Sequence, residues 1–385
     1  MPQVIAFVGS VVSFVSLLAA GTSAASWAAW IGIRVAVVAG TTWALGKMYE
    51  VPTIGLNQQG ASILSNTPSS TAPIAVVYGA RRVGGTRVFV GSSPGYNEGE
   101  ATDENNYINI VLALCEGPIS SVEAVYLNNV QAWPLPDARF NNKLKINVHL
   151  GSSTQTADQD LVDVANSSAK PFTWTTNHRL QGVAYLYVRL EADPEVWASG
   201  MPTISADIKG KIVEDTRSNY AGGAYSISRY SNNPALCIRD YLMDDTYGRG
   251  ISGSNISDSS FESAANYCDE RITLSTNAGV SFTQKRYTMN GVVSIGETSI
   301  NILDKMLTSC RGMLIFSGGV YKLVIDKAES PTLTFDESNV LPGFNIMLPG
   351  KDSISNRIAA NYFNPAREWQ SDFVYSDSAS YKVED

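Results

Sequence analysis

The chain has 385 residues, 44% of them hydrophobic and 17% charged, an ordinary balance for a folded protein able to bury about two or three cores. Its 28 Lys and Arg against 36 Asp and Glu leave a net charge of −8, with a pI near 5.0, which excludes a protein that grips nucleic acid through its phosphates. An acidic protein can still line a path along which DNA slides. Cys115, Cys237, Cys268 and Cys310 form no C-x-x-C pair, so neither a zinc site nor a disulfide framework is indicated, and buried free thiols are the expectation.

Residues 1–48 form the first element. Arg34 is the one charge between Met1 and Gly46, and no Lys or Arg precedes it, so the basic n-region of a secretory signal is missing. Residues 4–21 and 26–46 each approach the ~20 apolar residues that a helix needs to cross a bilayer. Ala20, Ala24, Ala28, Gly32, Ala36, Gly40 and Ala44 place a small side chain at every fourth position, a ladder that lets helix backbones approach closely. Richness in alanine would produce part of the same pattern. Insertion into a membrane and burial among helical partners both stand at this point.

Residues 49–73 turn polar and rich in Gly, Pro and Ser without periodicity and read as a linker. A first β-rich domain is predicted over 74–215. In "IAVVYGARRVGGTRVFVG" two short strands are broken at glycines, and Gly79, Gly84 and Gly85 are expected in turns or bulges. "YINIVLALCEG" and "VEAVYLNNVQAW" follow as strands, and "KLKINVHLG", "VAYLYVRLEAD" and "TISADIKGKIVED" alternate apolar and polar residues at period two.

The period then changes, and 216–311 is predicted to be mostly helical. Asn233 is a good N-cap with Pro234 at the first helical position, and the helix should run to about Asp244, where "TYGRG" ends it. A second helix follows Asp258, with Phe261, Ala264, Ala265, Cys268 and Ile272 at three- and four-residue spacing and Ser259 with Glu262 as a capping box. A third should start at Ser294, where "SIGE" offers a capping box, and carry Ile300, Leu303, Met306, Leu307 and Cys310 on one face until Gly312 closes it.

From 312 to 385 the pattern is β again. "MLIFSGGVYKLVID" reads as a hairpin because Gly318-Gly319 tolerates the positive φ of a two-residue turn, and "SNRIAANYF" continues as strand. The fold class expected is thus α+β, mainly β.

Catalytic signals are sparse. His149 and His178 are the two histidines, far apart and next to polar loop sequence, and both read as surface residues. No G-x-S-x-G, H-E-x-x-H, G-x-x-x-x-G-K or EF-hand pattern occurs. The acidic pairs Asp103-Glu104, Asp244-Asp245 and Asp269-Glu270 could supply carboxylates, but the second lies at a helix end and the third on a helix's outer face, where solvated charge is the default. No nucleophile stands beside a base, so the chain reads as a non-enzyme without metal or cofactor.

Several stretches nevertheless resemble one family, the central tail-tip attachment protein or baseplate hub of long-tailed bacteriophages, also called the lambda-type host-specificity protein. "APIAVVYGARRVGG" is similar to the segment preceding the first hub domain, and "INIVLALCEGPISSVEAVYLNN" to the first hub strands, with the E-G-P-I turn at residues 116–119. "NPALCIRDYLMDDTYGRG" with "FESAANYCDERI" is the most specific likeness: an apolar helix, a Y-G-x-G end at residues 247–250, and a helix carrying Cys268-Asp269. "SINILDKMLTSCRGMLIFSGGVYKLVID" and "SNRIAANYFNPAREWQSDFVYSD" continue it, the latter with Asn364, Pro365 and Trp369 in the family's pattern. The resemblance covers about residues 73–385 in the family's order. Two departures stand out: the family usually continues past a segment like "YKVED" into fibre and receptor-binding regions, and many members lack the apolar N-terminus. Host recognition is therefore not carried over, and the second hub region, 312–385, is expected to be incomplete.

The resemblance implies a fold of the baseplate-hub type with two tube-like β-domains. It implies a homotrimer at the distal end of a virion tail, closing the tube and opening for DNA ejection. The implied partners are a distal tail protein ring, the tape-measure protein, tip or fibre proteins and, at ejection, the host membrane, with DNA passing unbound through the lumen. Residues 1–48 then read as a central plug. Two alternatives are a membrane-anchored β-rich bacterial surface protein and a tail-tip hydrolase acting on the cell wall, the latter lacking a site that can be placed.

Overall fold

A computed structural model describes residues 66–68, 73–94, 96–97, 100–101, 106–140, 142–167, 171–217, 227–275, 281–294, 296–331, 333–334, 357–364, 367 and 369–377. The small-residue ladder from Ala20 to Ala44 and the rest of 1–48, most of the 49–73 linker, Asp103-Glu104 and Pro365 lie outside the described residues. The chain divides into a larger unit drawn from 52–270 and 287–324 and a smaller one drawn from 271–286 and 325–385.

In the larger unit, β1 (Val76–Tyr78), β2 (Ala80–Val83), β3 (Thr86–Ser93), β4 (Tyr107–Glu116), β5 (Ile119–Leu127), β6 (Val130–Trp133), β7 (Leu144–Leu150), helix α1 (Gln159–Ala165), β8 (Val183–Glu191), β9 (Ile204–Asp215) and β10 (Ile227–Tyr230) follow in order. One antiparallel sheet runs β3-β4-β8-β7, with the two residues Thr67–Pro68 added parallel to β3. The other runs β10-β9-β5-β6, and β2 also pairs with β9. The sheets bury one core between them: Ile110, Leu112, Leu114, Leu186 and Val188 from the first, Val122, Val125, Leu127, Ile204 and Ile208 from the second.

Strands β4 and β8 are apolar on both faces, not alternating, because a second cluster covers the back of the first sheet. There Val111, Tyr185 and Tyr187 meet Leu161, Val162 and Ala165 of α1, with Trp174 alongside. This helix interrupts what the sequence presented as uniformly β. Asp158 caps it, its Oδ1 accepting the Leu161 N–H at 3.0 Å. "VEAVYLNNVQAW" is a hairpin whose two turn residues, Asn128 (φ 49°) and Asn129 (φ 64°), take the left-handed conformations that a type I′ turn requires.

The segment expected as two strands is three. Gly79 (φ 71°) and Gly85 (φ 73°) sit at the breaks, whereas Gly84 does not take a positive φ. A Cβ at Gly79 would stand 2.1 Å from the Met289 carbonyl oxygen, and one at Gly85 2.5 Å from that of Ala113. Both positions therefore exclude a side chain by backbone angle and by space.

Helix α2 (Pro234–Met243) begins as the sequence implies: Asn233 Oδ1 accepts the Ala235 N–H at 3.1 Å, and its amide also donates to the Ala265 carbonyl at 2.9 Å, tying α2 to the next helix. Helix α3 (Asp258–Asp269) buries Phe261, Ala264, Ala265 and Cys268, but Ser259 with Glu262 makes no capping box. The N-cap is Ser257, and Asp258 pairs with Arg239 instead. Ile272 has left the helix for strand β11 (Arg271–Ser275) of the smaller unit, which pairs with β12 (Ser281–Lys285).

After β13 (Gly291–Val293), which pairs with β1, helix α4 runs Ser299–Thr308, later than expected. Glu297 donates its N–H to the Ser294 carbonyl at 3.1 Å but lies ahead of the Thr298 N-cap, and its carboxylate takes Lys305 at 2.6 Å, so the expected capping box does not open the helix. Ile302 and Met306 of α4 are buried with Cys310 just beyond it, while Ile300 points outward at 69% exposure. Strands β14 (Gly312–Ser317) and β15 (Val320–Ile325) form the hairpin expected around Gly318 and Gly319, both at positive φ. In the smaller unit β16 (Arg357–Asn364) pairs with β17 (Gln370–Asp377).

Among the described residues the architecture is mainly β, with four α-helices of seven to twelve residues. None of these is long and apolar enough to cross a membrane. Gly85→Ala is expected to cost about 1–3 kcal/mol, from its left-handed backbone, and Gly84→Ala less. Urea denaturation of the two variants checks this, and equal losses would remove the backbone explanation.

Candidate functional site

Strand β9 ends in the charged run "KGKIVED", of which Lys211 and Glu214 pair with α2 and the turn after it, while Asp215 is linked to α3 through Arg217. Lys211 is the first. Its ammonium lies 3.0 Å from Asp244 Oδ2 and 3.9 Å from Asp240 Oδ2, and 4.1 Å over the ring of Tyr247. Asp240 Oδ2 accepts the hydroxyls of Tyr78 at 2.5 Å and Tyr247 at 3.0 Å. Burial pushes the Asp240 carboxyl above its ordinary range, with Lys211 and Tyr78 opposing the shift. Burial and then Asp240 push the Tyr78 hydroxyl well up.

The Y-G-x-G end of α2 builds this arrangement. Asp244 Oδ1 accepts the Thr246 and Tyr247 N–H groups at 2.9 and 3.1 Å, folding the chain back so that Tyr247 is buried against Asp240. Gly248 passes so near α2 that a Cβ there would sit 2.0 Å from the Tyr241 carbonyl oxygen. Gly250 (φ 61°) then donates to the Asp244 carbonyl at 2.9 Å.

Asp215, the last residue of β9, centres a second cluster. Arg217 bonds it in fork geometry, Nε to Oδ1 at 2.8 Å and Nη2 to Oδ2 at 2.7 Å, while Arg229 adds a bond to Oδ2 at 2.7 Å. The same Arg217 guanidinium reaches Asp269 Oδ2 at 2.9 Å on α3. Asp215 and Arg217 side chains are 3% and 4% exposed. Burial alone would raise the Asp215 carboxyl, but the bonds from Arg217 and Arg229 outweigh it and hold it down at about 2. A third pairing joins Glu214 of β9 and Asp258 of α3 through Arg239 of α2, at 2.8 and 2.9 Å. Glu214, Arg239, Asp240, Met243 and Asp244 line a shallow cleft.

These pairings correct two expectations. Asp269 is not a solvated charge on an outer helix face: its side chain is 9% exposed and held by Arg217. His149 is not a surface residue either. It is 19% exposed, stacks on Tyr185 at 4.2 Å and sits with Nε2 2.8 Å from Asp158 Oδ2. His178 is exposed, as expected, and stacks on Trp174 at 4.6 Å. Asp245 is exposed while its neighbour Asp244 takes Lys211. The helix-packing candidates Ala20, Ala24, Ala28, Gly32, Ala36, Gly40 and Ala44 lie outside the described residues.

Lys211, Arg217, Arg229 and Tyr78 escaped the sequence reading, though charges at the end of an otherwise buried strand were the available signal. Among the described residues, no group of three or more His, Cys, Asp or Glu is placed to hold a metal ion. The charges are engaged with one another, an arrangement suited to clamping helices onto a sheet. Apolar side chains are exposed as well, among them Met313, Ile315, Phe316 and Val324 on the β14–β15 hairpin and, within the smaller unit, Ile358, Phe373 and Tyr375 on β16–β17, all 40% exposed or more.

The fold and its clamp therefore define a β-rich structural scaffold. No family model matches the chain. It is 28% identical over 168 residues to the tip attachment protein J of Escherichia phage SECphi27, a stretch that is 40% of this chain and 14% of that relative. A solved structure titled as the virion of a native gene transfer agent particle shares 13% identity at a TM-score of 0.46, covering 89% of this chain and 76% of that one. The chain is a distant homologue of the phage tip attachment protein.

Asp215 ties stability to pH. Because its folded pKa lies below the ordinary carboxylate value of 3.8, its contribution is fully present above about pH 4 and is lost as pH falls towards about 2, amounting to ~2 kcal/mol. Asp215→Asn is expected to cost about 2–4 kcal/mol at pH 7, since it weakens a buried pair, and to flatten that acid limb. Denaturant titrations between pH 2 and pH 7 test this, and an unchanged acid slope would refute it.

Proposed function

We propose that the chain is a structural hub component of a phage tail tip, which closes the distal end of the tail tube, anchors tip or fibre proteins and opens for DNA ejection. The observation that carries this is the 168-residue match to a tip attachment protein. The charge clusters support it: they are spent on holding helices to a β-scaffold, so the chain acts through surfaces and not through an active site. In this reading two β-rich regions, 74–215 and 312–385, flank the region 216–311 that carries three of the helices and line a ring in a homotrimer. The ring stacks on a distal tail ring and meets the tape-measure protein, and DNA passes through a lumen whose acidic wall does not hold phosphate.

Residues 1–48 converge at the axis in this reading, three copies closing through the small-residue ladder. Their length also suits a bilayer, which supports contact with the host membrane at ejection. The same length favours the alternative of a membrane-anchored β-rich bacterial surface protein.

Cryo-electron microscopy of particles from the phage that encodes this chain, with peptide mapping, tests the assignment. The expected result is threefold density for the chain at the distal tail end. Another symmetry, or the chain's absence from particles, would sink it. Gly32→Glu is expected to lower tail assembly or cause early DNA loss, scored by infectious titre and free DNA. Particles indifferent to it, or a chain recovered in detergent-dependent membrane fractions, would favour the anchor.

A further inference from the structure

The Lys211 clamp is set apart from the more exposed lysine pairs. Lys143, Lys145, Lys209 and Lys305 are 28% to 54% exposed in theirs, whereas the Lys211 side chain is 12% exposed and its partners Asp240 and Asp244 are 18% and 19%. The ring of Tyr247 covers the amine from one side. The two oxygens of Asp244 are also used differently: Oδ2 faces the Lys211 nitrogen at 3.0 Å, while Oδ1 accepts the N–H groups of Thr246 and Tyr247 at 2.9 and 3.1 Å. The Asp244 backbone is pinned as well, its N–H on the Asp240 carbonyl and its carbonyl under the Gly250 N–H, each at 2.9 Å, which fixes where the carboxyl stands. An amine held against a carboxyl whose second oxygen sits between two backbone donors is the arrangement of an acyl-transfer site.

We propose that Lys211 and Asp244 join in an isopeptide bond, a covalent cross-link between β9 and the end of α2, with Asp240 carrying the protons. Asp240, whose Oδ2 lies 3.9 Å from the Lys211 nitrogen, takes a proton from the ammonium and hands it to Asp244 Oδ2, so that a neutral amine faces a neutral acid. The amine attacks Asp244 Cγ, the C–N bond forms, and the negative charge that gathers on Oδ1 is met by the Thr246 and Tyr247 N–H groups. Asp240 then moves a second proton from the nitrogen to the Oδ2 hydroxyl, the C–O bond breaks, and water leaves into the shallow cleft that Asp240 and Asp244 line. In balance, one ammonium and one carboxylate give one amide and one water, Asp240 ends as it began, and nothing is oxidised or reduced. Burial, which raises the Asp240 carboxyl above its ordinary range, suits it to hold a proton in transit, and the hydroxyls of Tyr78 and Tyr247 on its Oδ2 keep it in place. The bond converts the strongest point of the sheet-to-helix join from an ion pair into a covalent tie, and its chemistry does not depend on the tail-tip reading.

The test uses the full purified chain, incubated in its folded state until its mass is constant and then measured by denaturing mass spectrometry. The expected mass is that of the sequence less one water. Trypsin should no longer cut after Lys211, and a branched peptide should join the Lys211 segment to the Asp244 segment. Lys211→Arg should stay at its full sequence mass. Asp240→Asn, with its folding checked by circular dichroism, should also stay at full mass although both reacting residues are present. A wild-type chain that keeps its full mass, a water loss that maps to a succinimide within a single peptide, or an Asp240→Asn chain that cross-links as fully as wild type would overturn the proposal. The wild-type map decides the matter even if the Asp240 variant fails to fold. A chain that cross-links as described but is absent from particles would keep the bond and refute the tail-tip reading, so the two can fail separately.

Discussion

A charge taken out of water must find its opposite, and in this protein that requirement organises the join between sheet and helices. Strand β9 carries Lys211, Glu214 and Asp215 to the edge of an apolar sandwich. Lys211 is answered by Asp240 of α2 and Asp244 just past its end, Glu214 by Arg239 of α2, and Asp215 by Arg217 and Arg229. Arg217 and Arg239 reach onward to Asp269 and Asp258 at the two ends of α3. Pairs of this kind gain little over apolar packing, because desolvation offsets their attraction, yet losing one partner strands the other. Their effect is to specify one seating of α2 and α3 on the sheet.

The aromatic hydroxyls extend the same logic. Tyr78 is fully buried in a short strand, and its hydroxyl finds an acceptor only because α2 presents Asp240. Tyr247 reaches the same carboxylate oxygen, placed there by the tight turn over Gly248. Strand, helix and turn thus share one oxygen atom, and a displacement of any of them leaves a buried donor unsatisfied.

Much of this was legible in the sequence, and the failures have physical causes. The N-cap at Asn233, the Gly318-Gly319 hairpin and the strands from β3 to β9 are local decisions, made by residues a few positions apart. Helix α1 was hidden because seven residues between strands carry little periodicity and are held by packing against Val111, Tyr185 and Tyr187, far away in sequence. The Ser259 and Ser294 capping boxes failed for a related reason: Asp258 had a distant partner in Arg239, and Glu297 found Lys305. The clamp itself is a tertiary object. Asp215 and Asp269 read alike with any surface carboxylate until the fold places Arg217 between them. The resemblance to tail-tip proteins was likewise carried by local motifs, and the Y-G-x-G among them proves to be the turn that builds the Asp240 site.

The double-sided burial of β4 and β8 has a consequence for how such a protein can change over time. From Ile110 to Cys115 and from Ala184 to Val188 every side chain is enclosed, on one side by the opposing sheet and on the other by α1 and its neighbours. These two stretches offer no position at which a polar substitution meets water, so drift within them is confined to exchanges among apolar residues of similar volume. Novelty has to enter through the borders, at β3 with its exposed Val88 and Val90 and along the turns between strands. A lineage under pressure to fit new neighbours would therefore keep a nearly fixed centre and rewrite its margins.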